Sequence, residues 1–353
     1  MYKGAIPRAV ALQTRLDSPL PRAITRTAPT SFPMPSLKRV LVTCPPMLGM
    51  IDAFRAAATG LGLDLVAAQV TQTLSEEELC EQLPGFDGWI IGDDPATRRV
   101  FEAGQAGQLR AAVKWGIGVD NVDFAACQDL GIPIINTPGM FGAEVADIAV
   151  GYVIGLARHT FEIDRGVRAG GWPKPRGISL AGKTVALIGY GDIGRNTARR
   201  LLAAEMQIIA YDPFADPASV DAGVQLATWP ERLEEADFVV VNCALTRSSF
   251  HLIDAAALER VKPGVRIVNV GRGPVIDEQA LIAGLESGRV SSAALDVFEA
   301  EPLLADSPLR QHERCIFGSH NASNTEDGVV RTSLEALSRL AGFLAEIAER
   351  PAA

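Results

Sequence analysis

A short apolar run over 184–188 is followed by Gly189-Tyr190-Gly191-Asp192-Ile193-Gly194 and then by apolar residues at helical spacing as far as Ala204. The run suits a strand buried on both faces of a parallel sheet, and the spacing after it suits a helix packed on that strand. The first glycine permits a sharp turn, the second lets backbone approach a pyrophosphate, and the third lets helix and strand pack closely. The helix start then offers free N–H groups and a positive dipole end to phosphate. Residues 207–211 supply the next strand, and Asp212 ends it eighteen residues after Gly194. A carboxylate there accepts hydrogen bonds from both hydroxyls of an adenosine ribose. A glycine turn that binds nothing is the competing reading, and the matched strand, helix and carboxylate weigh against it.

The rest of the chain is bounded by its size and charge. At 353 residues it has room for two domains. A net charge of -9 opposes a nucleic-acid or anionic-membrane partner. No stretch approaches the roughly 20 apolar residues that span a bilayer. The 5 cysteines (Cys44, Cys80, Cys127, Cys243 and Cys315) form no CxxC pair, so no metal site is expected and a reduced, cytoplasmic compartment fits best. Residues 1–37 differ in kind, rich in Pro, Ser, Thr and Arg with Asp17 as their acidic residue. They are expected to be an unstructured extension, or to precede a functional start at Met34, with an organelle transit peptide as the weaker alternative.

Strands are expected at 39–43, 63–67 and 88–91, with a helix over 51–61 and a capping box of Ser75 and Glu78 opening another. Residues 109–115 lead into Gly116-Ile117-Gly118-Val119-Asp120-Asn121-Val122-Asp123, whose glycines favour close backbone approach to something. Strands alternating with helices make this a small parallel α/β unit. A short strand at 131–137 is followed by one long helix over 142–166, which crosses to the glycine turn. After Asp212, strands are expected at 238–242, 265–270, 292–296 and 315–318, with helices capped by Asp254 and Asp277. That places five strands after the first of the glycine motif, a doubly wound domain. A last helix over 327–349 carries Val330, Leu334, Leu337, Leu340 and Leu344 on one face, free to fold back on the first unit.

Ligand chemistry in such sheets collects beyond the carboxyl ends of the strands. Arg272, Glu301 and His320 fall there, after the strands at 265–270, 292–296 and 315–318. Reduction of a carbonyl to an alcohol needs a hydride and a general acid that titrates near neutrality, which histidine supplies unperturbed. A neighbouring carboxylate raises its pKa and holds one tautomer, which suits Glu301. A guanidinium forks a substrate carboxylate and polarises the adjacent carbonyl, which suits Arg272. His159 lies in a helix, His251 follows a loop and His312 sits among charges, leaving His320 at a strand's C-terminal edge. Asp296 is placed to accept from a nicotinamide carboxamide, with an N-cap or surface carboxylate as its alternative.

The stretches KWGIGVDNVD, GIPIINTPG, GKTVALIGYGDIG, NVGRGPVIDEQAL, ALDVFEAEP and GSHNASNT, in this order over most of residues 39–335, resemble the D-isomer-specific 2-hydroxyacid dehydrogenase family and its phosphoglycerate dehydrogenases. The resemblance implies two Rossmann-like lobes, a doubly wound parallel sheet in the nucleotide lobe and a smaller flavodoxin-like substrate lobe. It implies a substrate domain at 38–137, an NAD-binding domain at 138–320, and a C-terminal helix within 321–353 returning to the substrate domain. The implied activity is NAD-dependent hydride transfer at C2 of a 2-hydroxy or 2-keto acid, in a homodimer joined through the NAD-binding domain. Arg272, Glu301 and His320 carry over as substrate-binding arginine, glutamate partner and acid/base. Gly189, Gly191, Asp192, Ile193, Gly194, Asp212, Thr246 and Asp296 carry over as cofactor contacts, and Gly92, Asp93 and Arg272 as substrate contacts.

The chain departs from the family pattern in three places. Where phosphoglycerate dehydrogenases usually carry an Arg-Ser pair, it has Asp93-Asp94, which repels a phosphate unless Arg98, Arg99 or Lys114 compensates. Ala244 replaces a usual proline, and Gly318-Ser319 precedes His320 in place of Thr-Pro. No regulatory domain is expected after the last helix, and hence no amino-acid feedback through one. The alternatives are a formate dehydrogenase, which calls for glutamine at Glu301, and a regulator that senses NADH without turnover, against which the intact triad stands. Hydroxypyruvate or glyoxylate reduction is the alternative for the specific activity.

Overall fold

A computed structural model describes residues 36–349, so the extension expected at 1–37 lies almost wholly outside the described residues. Their strands form two parallel sheets. The first contains β1 (Lys38–Val42), β2 (Leu63–Ala67), β3 (Gly88–Ile91), β4 (Ala111–Lys114) and β5 (Ile134–Asn136), ordered β2-β1-β3-β4-β5. This is the flavodoxin-like order. The second contains β6 (Thr184–Ile188), β7 (Gln207–Tyr211), β8 (Val224–Leu226), β9 (Phe238–Val241), β10 (Val265–Asn269), β11 (Val290–Leu295) and β12 (Cys315–Phe317), ordered β12-β11-β10-β9-β6-β7-β8. Every residue of β6 and β9 is buried, as an apolar strand covered on both faces requires. Ile188 pairs with Tyr211 on one side and Val241 on the other, so β6 lies where the strand order reverses.

Local chemistry sets many of the element ends. Ser75 and Glu78 form the expected capping box, and the side chains of Asp254 and Asp277 accept from backbone N–H groups of the helices they open. Each such cap contributes about 0.5–2 kcal/mol. Three sequence expectations are corrected. The helix expected over 142–166 is broken: Gly142–Arg158 ends where His159 turns left-handed (φ 56°), and Thr160–Arg168 starts anew. At the break Ala157 O accepts from Ile178 N–H at 2.9 Å, and His159 Nδ1 lies 2.9 Å from Glu162 Oε2. The strand β8 was not expected, being three residues long at a sheet edge. On the C-terminal helix Glu326–Glu349, Leu334 is 44% exposed, and the buried stripe runs through Val329, Ser333, Ala336, Leu337, Leu340 and Leu344.

That helix packs against the first sheet. Trp115 Nε1 donates to Ser333 Oγ at 3.1 Å, and Leu340 packs against Gly88, where a Cβ would come 3.0 Å from Leu340 Cδ2. One continuous apolar cluster joins Val40, Ile90 and Val113 to Ala149, Val153 and Leu156 of the crossover helix, and on to Val185, Leu187 and Val240. The two sheets therefore share a core at the crossover, and their carboxyl ends face a common cleft.

Candidate active site

Loops from both sheets line one cleft of about 350 Å³. Cys44, Pro45, Gly92 and Asp93 come from the point where the first sheet reverses its order, and Ile193 follows the corresponding point in the second. Arg272, Asp296 and His320 come from the loops after β10, β11 and β12. Ligands settle at such switch points because the flanking loops diverge and leave backbone groups free.

His320 and Glu301 meet as the sequence suggests: Nδ1 lies 2.7 Å from Oε2, with both side chains about three-quarters buried. Glu301 is itself held by Oε1, which accepts from Phe298 N–H at 3.0 Å. Burial pushes the imidazole pKa down, but the hydrogen bond and charge of Glu301, aided by Asp93, outweigh it and hold His320 above its ordinary value. The backbone of His320 is left-handed (φ 54°), and its N–H donates to Asp296 O at 2.7 Å. A non-glycine residue held there marks a constrained site. Asp296 is buried, and its Oδ2 accepts from Ala322 N–H at 2.9 Å. Gly318 cannot carry a side chain, since its Cβ would lie 1.9 Å from Asp296 Oδ1.

Arg272 reaches across to the first sheet. Its Nε donates to Asp120 Oδ1 at 3.0 Å and its Nη1 to Gly271 O at 3.0 Å, while Nη2 has no protein partner among the described residues. A Cβ at Gly118 would sit 1.4 Å from that Nη2, so the glycines after β4 serve the close approach of this guanidinium. Sequence reasoning singled out the glycines but missed Asp120, because the pair lies 152 residues apart and only the fold joins them.

The turn after β6 fits a dinucleotide. Gly189 (φ 90°) passes so near Cys243 that a Cβ would lie 2.8 Å from its backbone, and one on Gly194 would lie 2.2 Å from Gly189 O. Gly191 precedes the helix Asp192–Ala203 with no side-chain cap, so its first N–H groups stay available, and a Cβ at Gly191 would meet nothing within 4 Å. The Asp192 carboxylate turns towards Gly142 and Asn196. Asp212 accepts from Tyr190 N–H at 2.7 Å and Phe214 N–H at 2.9 Å, which fixes both oxygens at the tip of β7. Thr246 stands apart from the cleft lining, its hydroxyl against Ser248 and Ser249.

Residues 150–322 match the family model described as "D-isomer specific 2-hydroxyacid dehydrogenase, NAD binding domain". The chain is 34% identical to hydroxypyruvate reductase of Thermotoga maritima over 82% of its own length and 95% of the relative's. It is also 34% identical to D-3-phosphoglycerate dehydrogenase 3, chloroplastic, of Arabidopsis thaliana, over 80% of its own length and 49% of that protein. It thus spans about half the length of that plant enzyme. Among solved structures, a glyoxylate reductase from Paecilomyes thermophila superposes with a TM-score of 0.75 at 28% identity, covering 88% of this chain and 96% of that one.

Proposed function

The chain belongs to the D-isomer-specific 2-hydroxyacid dehydrogenase family and takes NAD, and we propose that it interconverts 2-keto acids and 2-hydroxy acids by hydride transfer at C2. The observation that carries this reading is the 2.7 Å contact of His320 with Glu301 in a cleft that also holds Arg272. NAD bound at the glycine turn supplies or accepts the hydride. Arg272 holds the substrate carboxylate through its unpartnered edge, and its charge polarises the adjacent carbonyl. His320, protonated at Nε2 while Nδ1–H is held by Glu301, gives its proton to the carbonyl oxygen as the hydride arrives. Asp212 favours NAD over NADP, because a 2′-phosphate would meet its carboxylate.

In this reading residues 38–137 with the C-terminal helix form the substrate lobe and residues 138–320 the NAD-binding lobe, with Gly92, Asp93 and Arg272 around the substrate. Asp296 receives the nicotinamide amide, and Thr246 adds a contact from the loop after β9. The same reading includes a homodimer through the NAD-binding lobe. Ile154, Phe161, Val167 and Trp172 there are 42%, 44%, 43% and 78% exposed, an apolar face that a second copy would cover. It also includes a cytoplasmic location, consistent with free cysteines at all 5 positions. No helix among the described residues is long and apolar enough to cross a membrane.

The test is NADH oxidation with a panel of 2-keto acids. Turnover on at least one is expected, and His320→Ala should lower kcat by roughly a hundredfold while NADH affinity stays nearly unchanged. NADH binding without turnover on any of them would instead favour a cofactor-sensing regulator.

A further inference from the structure

We propose that Asp93 makes this cleft select 2-keto acids whose far end is uncharged and donates a hydrogen bond, such as a 3-hydroxyl, and reject those ending in phosphate. This inference rests on the reductase reading above and names its substrate class.

The cations near the substrate position are already matched. Lys114 is 3% exposed, and its ammonium donates to Gly92 O at 2.7 Å, Asp93 Oδ1 at 3.1 Å and Trp115 O at 3.2 Å, which uses its three protons. Arg272 is paired with Asp120, and the substrate's own carboxylate claims its remaining edge. His320 is paired with Glu301. Arg98 and Arg99 lie on the helix Arg98–Ala106, bonded to Asp129 and to Glu76 and Glu77, and neither lines the cleft. A second anionic group on the substrate therefore finds no free cation among the described residues, and meets Asp93 instead.

Asp93 and its neighbour divide the work. Asp94 is fully buried and faces inward, accepting from Thr43 Oγ1, from Leu74 N–H at 2.8 Å and from Gly92 N–H at 3.1 Å, so it holds the turn. The Asp93 side chain is 40% exposed, lines the cleft, and has an Oδ2 with no donor among the described residues. Burial opposes its charge, but Lys114, His320 and Arg272 together hold it below the usual carboxylate range. Its Oδ1 thus neutralises the buried Lys114 behind it, while Oδ2 is an acceptor without a donor at the cleft. A hydroxyl satisfies that oxygen, a methyl leaves it unpaired, and a phosphate is repelled by it.

The experiment compares kcat/KM for NADH-dependent reduction of hydroxypyruvate, pyruvate and the 3-phosphate ester of hydroxypyruvate. Hydroxypyruvate is expected to exceed the ester by at least roughly a hundredfold and pyruvate by about tenfold. In Asp93→Asn the preference over the ester should shrink at least tenfold, since the carboxylate charge is gone and that of Lys114 is no longer neutralised. Should that variant not fold, the wild-type protein still decides: raising salt from low to high ionic strength should lower the hydroxypyruvate-to-ester ratio at least about threefold by screening the repulsion. A wild-type ratio within tenfold of unity, or one unmoved both by salt and by Asp93→Asn, would overturn the proposal while leaving the reductase reading in place. No turnover on any of the three would remove that reading, and this inference with it.

Discussion

At the residue scale the proton chemistry turns on a pair rather than on a lone histidine. Glu301 raises the pKa of His320 against the opposing effect of burial. In the proposed reading reduction requires the protonated imidazole, so the raised pKa should extend activity towards alkaline pH, with the alkaline limb marking loss of that proton. Glu301→Gln should therefore move this limb to lower pH, a shift read from kcat/KM for reduction between about pH 5 and 10. An unmoved limb would show that the carboxylate does not couple to the histidine. The Asp212 oxygens hold the Tyr190 and Phe214 N–H groups and so shape the glycine turn, and in the proposed reading the same carboxylate receives the ribose. Asp212→Ala should lower kcat/KM with NAD by roughly tenfold and change that with NADP far less, a comparison that steady-state assays with both cofactors make directly.

Among the elements, the loop after β4 is more than a connection. Gly118 leaves room for Arg272 to cross between sheets and reach Asp120, so Gly118→Ala places a carbon where the guanidinium now lies. Its expected outcome is a kcat/KM for 2-keto acids lowered at least about tenfold with NADH affinity unchanged, as measured by fluorescence titration against steady-state turnover. This loop also shows what can be read from a sequence. The motif announced a close approach, and β6, β7 and the caps at Ser75, Asp254 and Asp277 were legible because their signals are local periodicity and side-chain chemistry. The partner of Arg272 was not legible, since nothing near residue 272 encodes what residue 120 will do. The break at His159 escaped for a different reason: Ala157 O there accepts from the N–H of Ile178, which lies beyond the second helix, while the local apolar spacing favours continuation. Leu334 has the right spacing for burial, yet the helix is rotated so that Ser333 meets Trp115 instead.

For the whole molecule, the cleft between the sheets sets the expected motion. The shared core at the crossover helix anchors one end, so closure is expected to bring together the cleft-lining segments near 44–49, 92–93 and 319–324. NADH with an inert 2-keto acid analogue should slow hydrogen exchange in both sets of loops, and protection limited to residues 189–194 would mean that cofactor binds without closure. The same architecture bears on how the chain is made. Trp115 and Ser333, which join β4 to the helix that covers it, are 218 residues apart. At synthesis rates of about 5–20 residues per second, the nascent first sheet waits roughly 10–40 s for its covering helix to leave the ribosome. In that interval the face of Gly88 that Leu340 will cover stands open to solvent, and the second sheet has time to form first. The unit that begins earlier in the sequence is thus the one completed later, and its exposed strands are those a chaperone would meet.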